Sequence, residues 1–401
     1  MKAGQLSSNT VETGFGPDAV KADDAARAVV RFQRTILEPK MVRSRCLDAD
    51  MRKCRLIQEK VESLFLENAD KQKFLAFYLA EEFWADSKPD YSQFSNEQRI
   101  VREFTPLLEE PIVEVTHGER EIRICRDGMI MYSDAELNSG YTYDGFLSRL
   151  EQYTEILNAL YFLFASSLNE HHEIQKYHHY EVTHYDILPI TIDISNRVCG
   201  HAIPLRSLMS GQINKRYLKD VPRLYEDNLD LYIESFPPRD VISRDTLAGI
   251  SRMFLEMAPE DSTNIRLIAR SNKAAAEYES TSFSDCIIIA WTEIEAYLFD
   301  SLRRQLQSMG ESRFNHNRRR SLERQLHVAG VIEFLEALSV ISIEEYGKLN
   351  TLRKYRNDIV HNNAHATEQQ AQAALEFLEQ ILLVKTKTSI KFKSMFFAVL
   401  F

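Results

Sequence analysis

Apolar residues recur every three to four positions through AARAVVRFQRTI, from Asp23 onward, and again through CRLIQEKVESLFLENADKQKFLAFYLAEEF. That period predicts helices up to about Leu108. The pattern then changes. IVEVTHGEREIRICRDGMIMYSD alternates apolar and polar residues and carries Asp127-Gly128, the dipeptide favoured in tight hairpin turns, so a strand pair is expected there. Phe146, Leu150, Tyr153, Leu157, Leu160 and Phe164 follow at spacings of four and three, which predicts a long helix with one buried stripe. YEVTHYDILPITIDISN returns to β-type residues, with Pro189 weighing against a central strand in its second half. From about Pro204 the helical pattern is cut by Pro222, by Pro237-Pro238 and by the turn at Pro259. After about residue 271 a helical-bundle pattern runs almost to the end.

These periods describe a mainly α chain in four parts. Residues 1–22 are small, polar and Gly/Pro-containing, and are expected to be a flexible tail. A helical N-terminal region spans 23–108, an α+β middle region with a helical connector spans 109–270, and a bundle of four to five helices spans 271–401. The length of 401 residues leaves room for two or three cores. A formal charge of −10 argues against a surface coated in nucleic acid, so any such contact must be local. The cysteines Cys46, Cys54, Cys125, Cys199 and Cys286 form no CxxC pair and read as reduced core thiols. The start lacks the basic-then-apolar layout of a signal peptide, and no apolar run is long enough to span a membrane, so a cytoplasmic protein is expected.

The bundle holds the chemistry. In FSDCIIIAWTEIEAYLFDSLRRQL the residues Phe283, Ile287, Trp291, Ile294, Leu298 and Leu302 share one face, which predicts a core helix. Glu295 stands at the edge of that face and Glu293 points away from it. In IEEYGKLNTLRKYRNDIVH, Leu349, Leu352, Arg356 and Ile359 are spaced three, four and three, so the arginine occupies the apolar row. A buried cation needs a counter-charge, and a buried Arg356–Glu295 bond is the expected solution. Arg353, Asn357 and His361 are four residues apart and form a second, outward-facing polar column. Thr367 and Gln370 make a capping box for a last helix whose Leu375, Leu378 and Leu382 close the bundle.

Arg356-Asn357-Asp358-Ile359-Val360-His361 resembles the hallmark of the HEPN superfamily of helical domains: an arginine, usually followed by Asn, His or Asp, then a histidine four to six positions after the arginine. The resemblance covers about Ser271 to Lys385. Arg320 and His327 satisfy the loose spacing as well, but Ser321 follows that arginine, so spacing alone is weak. What the resemblance implies is a metal-independent endoribonuclease that uses no cofactor and acts as a homodimer, with two motifs facing each other across a cleft. Histidine is the side-chain type that titrates near neutrality, and His361 would act as general base or acid on a ribose 2'-hydroxyl, leading to a 2',3'-cyclic phosphate. Arg356 would offset charge on the phosphorane oxygens, and Asn357 would orient the phosphate or the imidazole. Such domains frequently serve as toxins or anti-phage defence effectors, which implies RNA as substrate and an antitoxin or regulatory protein as partner. The upstream residues would then sense or restrain. Silent members also exist, so a non-catalytic dimerisation or RNA-binding module is the alternative.

Two further clusters complete the reading. Arg303, Arg304, Arg313, Arg318, Arg319, Arg320 and Arg324 crowd a stretch with few acids, and Arg353 and Lys354 flank the motif. Arg318, Arg319 and Arg320, with Arg353 and Lys354, are the candidate RNA-holding residues, although such a run is more often a solvated loop. His171, His172, His178, His179 and His184, with Glu173 or Glu181, could ligate a divalent ion, but no HExxH spacing appears and a polar connection explains them equally well. No GxxxxGK or GxGxxG motif is present, which argues against an ATPase or a dinucleotide enzyme.

Overall fold

The computed structural model describes residues 70–90, 105–139, 146–170, 175–183, 186–194, 198–201, 239–257, 262–310 and 315–387, and the single residues Leu64, Ser95, His172, Ile390 and Phe392. The expected tail at 1–22 and the helical run expected from residue 23 to 63 lie outside them.

The first described elements are strands, β1 (Gln72–Phe77) and β2 (Phe83–Ala85), where helical periodicity is expected. The run KFLAFYLA is apolar at nearly every position, so it satisfies a helical period and a doubly buried strand alike. Tertiary context decides. The other elements are α1 (Thr105–Glu109), β3 (Pro111–His117), β4 (Arg120–Cys125), β5 (Ile130–Ser133), α2 (Ala135–Asn138), α3 (Phe146–Asn169), β6 (Leu188–Ile192), β7 (Val198–His201) and β8 (Asp240–Ile242). Helices α4 (Arg244–Met257), α5 (Ser262–Glu279), α6 (Phe283–Ser308), α7 (His316–Gln325), α8 (Val328–Ala337), α9 (Ile343–Asn362) and α10 (Glu368–Thr386) follow. Ten helices among the described residues make the chain mainly α.

Six strands form an antiparallel sheet in the order β3-β4-β5-β1-β6-β7, and β2 pairs in parallel with β8. β1 lies between β5 and β6, which explains its unbroken apolar run. The expected strand pair is a three-stranded meander, with Gly118 in its first turn and Asp127-Gly128 in its second. Gly128 has φ of 86°, and a Cβ there would meet the Phe83 carbonyl oxygen at 2.8 Å, so only glycine fits this turn. Pro189 is accommodated inside β6, opposite Leu75 of β1, because the β7 ladder begins only at Ile190.

α3 carries the expected stripe and more. Every residue from Ala159 to Ala165 is fully buried, so its middle is enclosed on all sides rather than along one face. Tyr161 meets Phe77 of β1, ring centroids 6.0 Å apart, and Phe254 of α4 meets Tyr132 of β5 edge-on at 6.3 Å. α4 and α5 both pack on α3. Asn272 of α5 donates to the Asn158 side-chain oxygen of α3 at 2.9 Å and to the Tyr180 carbonyl at 2.7 Å. The expected boundary at 270/271 therefore falls inside a helix that ties the middle region to the bundle. Residues 57–401 form one compact unit.

Within the bundle α6 is the central element, packed by α5, α7, α8, α9 and α10. Ile287, Trp291, Ile294, Leu298 and Leu302 are buried as their spacing predicts. Both capping boxes form: Thr367 with Gln370 opens α10, and Ser342 with Glu345 opens α9. The Ala366 N–H donates to Ser284 Oγ at 3.1 Å, which pins the α9–α10 loop to the start of α6. At the other end Lys385 of α10 reaches Asp300 at 3.5 Å. A groove joins Ile343 of α9 to Gln380 of α10 at this same end, so α9 runs antiparallel to α6. Among the described residues no helix is long and apolar enough to cross a membrane.

Candidate functional site

α9 buries only Leu349 and Leu352. Beyond Leu352 it rides on the bundle surface, and Arg356 and Ile359, though on the apolar row, are only partly buried. The expected Arg356–Glu295 bond does not form. Arg356 Nη1 donates instead to the side-chain oxygen of its neighbour Asn357 at 3.2 Å, and Glu295 Oε2 accepts the Trp291 indole N–H at 3.0 Å. The reason is the depth of the two groups. Trp291 is 3% exposed and its N–H needs an acceptor one helical turn away, whereas the arginine reaches water and needs no buried counter-charge.

Glu293 of α6, expected to point away from the core, is enclosed as well. It is 11% exposed and lies 3.2 Å from Arg270 of α5. Because α6 is central, its second face is covered as well. Burial pushes the Glu293 carboxyl above its usual range, outweighing the pull of Arg270 and Arg266.

The polar column of α9 takes its expected outward place. His361 is exposed, and Arg353 and Asn357 are partly exposed, with Lys354 exposed beside them. Arg353 Nε donates to the Asn350 side-chain oxygen at 3.4 Å. Asn350 and Tyr346 extend the column, so Tyr346, Asn350, Arg353, Asn357 and His361 fall within an arc of about 80 degrees at ~100 degrees per residue. Their spacing is legible in the sequence, and the expected site stopped short of them. Tyr346 OH donates to Glu333 of α8 at 2.6 Å, a bond that raises its phenol above the usual value. No carboxylate stands in the column itself. Asn363 caps α9 in the left-handed conformation, φ 49°, and turns the chain sharply after His361.

On the other flank of α9 lies the apolar groove, about 470 Å³, floored by Leu352, Tyr355, Ala373 and Phe377. By the same helical geometry it faces roughly a third of a turn or more away from the column, so it does not open onto His361.

Arg318, Arg319 and Arg320 are not in a loop. They lie on α7, which buries no residue at all. Arg303 of α6 approaches Glu323 of α7 at 3.7 Å, which anchors this helix near the end of α6 opposite Ser284 and His361. The α7 arginines therefore sit at the end of the bundle opposite His361, and Arg353 and Lys354 lie midway along α9.

Among the described residues of the histidine-rich segment, His179 is internal structure, while His172 and His178 are partly exposed and lie beside carboxylates. Asn169 accepts from the backbone N–H groups of Lys176 and Tyr177, which sews this segment onto α3. His179, its side chain 2% exposed, places Nδ1 at 2.6 Å from Glu279 Oε1 and Nε2 at 3.1 Å from Ser166 Oγ. Facing a carboxylate, Nδ1 carries the proton and Nε2 accepts from the serine. His178 Nδ1 lies 3.2 Å from the other Glu279 oxygen, and its backbone N–H donates to Glu81 at 2.8 Å. Among the described residues no group of three or more His, Cys, Asp or Glu could hold a metal ion. His171, Glu173 and His184 lie outside them. The sequence gives no spacing signal for this Ser166–His179–Glu279 chain, because its members come from three separate segments.

No family model, curated protein or solved structure matches the chain.

Proposed function

We propose that the C-terminal helices form a HEPN-like bundle that cuts RNA as a metal-independent endoribonuclease. The observation that carries this reading is on α9, where Arg356 of the apolar row is only partly buried and donates to Asn357 of the polar column, and His361 stands exposed one turn further along that column, open to a ligand. In this mechanism an imidazole takes the 2'-hydroxyl proton, the 2'-oxygen bonds to phosphorus, and the P–O5' bond breaks. The leaving 5'-oxygen takes a proton from a second imidazole, and a 2',3'-cyclic phosphate remains. Arg356 would turn from Asn357 to the phosphate oxygens as negative charge develops there. One histidine cannot readily serve as base and acid in the same step, so the reading includes a homodimer that brings two motifs together. A role as a toxin or anti-phage effector, with an antitoxin or regulatory partner, rests on the family resemblance alone.

The purified protein, incubated with total RNA in EDTA, should produce fragments ending in cyclic phosphate. His361→Ala should lose at least a hundredfold in rate with its fold intact. Full activity in that variant would reject the site, and light scattering that found only monomer while RNA was being cut would remove the shared-site mechanism. A non-catalytic RNA-binding or dimerisation module is the second reading. It is favoured by one observation, that the arginines of α7 lie at the end of the bundle away from His361 and would hold RNA whether or not it is cut.

A further inference from the structure

α7 is a helix without a core face. Its sequence HNRRRSLERQ contributes no buried residue, and among the described residues Arg319, Arg320 and Arg324 form no ion pair. Arg319 Nε is buried with no hydrogen-bond partner. Arg319, Arg320 and Arg324 stand on this helix with one carboxylate, Glu323, which Arg303 of α6 already faces, so α7 carries an excess of positive charge in an acidic protein. A polyanion would offset it.

Its position adds a length. Ser284, beside the α9–α10 loop, and Arg303, beside α7, are nineteen residues apart on α6. At ~1.5 Å per residue the two ends are separated by about 28 Å. The column from His361 back to Tyr346 runs along α9 in the same direction for about 22 Å on the same rise, and it contains only neutral and basic side chains. α7 and α9 both pack on α6, so along its axis the basic helix, the column with its one cation Arg353, and His361 follow one another.

We propose that α7 is an RNA-backbone exosite, and that the protein selects RNAs long enough to reach from α7 along the α9 column to His361. This rests on the ribonuclease reading for the chemistry at His361, but not for binding at α7. A stacked strand advances about 3.4 Å per nucleotide, so bridging needs about eight nucleotides. The substrate class is therefore an extended or helical RNA segment, not a di- or trinucleotide. Guanidinium groups would grip phosphates and fix register without reading sequence.

The test uses the full chain carrying His361→Ala, so that RNA binding is read without cleavage. Fluorescence anisotropy would compare labelled RNAs of about four and about twenty nucleotides, one too short to bridge and one long enough. The long RNA should bind at least tenfold tighter. Adding Arg318→Ala, Arg319→Ala and Arg320→Ala should abolish most of that preference and flatten the dependence of log affinity on log salt by about two, at ~0.7 per phosphate contact in a single strand. The corresponding three lysine substitutions should keep both, since point charges suffice. Equal affinity for the two RNAs, or an alanine variant that binds the long RNA with unchanged salt slope, would overturn the exosite. Failure of the ribonuclease reading would appear separately, as intact RNA with the wild-type chain.

Discussion

The Trp291 indole donates to Glu295 one turn along α6, at 3.0 Å, and this bond takes the carboxylate that the apolar row of α9 would otherwise claim for Arg356. An arginine spaced like a core residue is thereby left partly exposed and, among the described residues, bonded to the side chain of its neighbour Asn357. Had it been locked to a buried carboxylate, the same guanidinium would be a structural strut. At the surface it can be offered to phosphate.

Stability should divide along that line. Glu295→Ala strands a buried indole N–H and should cost about 1 to 2 kcal/mol, whereas Glu295→Gln keeps an acceptor and should cost little. Arg356→Ala should cost less than about 1 kcal/mol, as a partly exposed site away from packing. In urea denaturation the double variant Glu295→Ala/Arg356→Ala should be additive within about 0.5 kcal/mol. A coupling well above that would mean that the two side chains meet in solution.

How far the sequence carried the fold depended on where each element sat. The long helices α3, α6 and α10 were legible because their apolar spacing and, in α10, the Thr367–Gln370 box point to the same structure. β1 is not legible as a strand, because a strand buried on both faces has no period to distinguish it from a helix. For the site, the column of Arg353, Asn357 and His361 follows from helical geometry alone. The Arg356–Glu295 bond did not, because spacing gives the direction of a side chain but not its depth, and α9 leaves the core after Leu352. Likewise the sidedness of Glu293 assumed a helix with one buried face, and α6 has two.

The histidine segment yields a second test. His179→Ala would leave the Glu279 carboxylate, 9% exposed, with the His178 imidazole but without the buried one, and would also remove the partner of Ser166, so it should lower stability by about 2 kcal/mol. His172→Ala, at a side chain 30% exposed beside Asp240, should lower it by less than about 1 kcal/mol. Zinc or EDTA should leave the melting temperature of the wild-type chain unchanged, because these imidazoles already serve carboxylates and a serine. A zinc-dependent rise in melting temperature that vanished in His179→Ala would return the segment to metal chemistry.

The last test uses pH. Burial raises the Glu293 carboxyl above its unfolded-state value even though Arg270 lies 3.2 Å away. Between those two values the folded chain holds a proton that the unfolded chain has released, so stability falls as pH rises through this window. The contribution is fully present below the ordinary carboxylate range, near pH 4, and is lost above the raised value. Glu293→Gln cannot ionise and removes this slope, while every other titrating group remains in both proteins and cancels in the difference. Urea midpoints from about pH 4 to about pH 7 should therefore show the variant gaining on the wild type as pH rises. If the variant instead loses ground with rising pH, the attraction of Arg270 exceeds the burial penalty, and Glu293 is the counter-charge that ties α6 to α5.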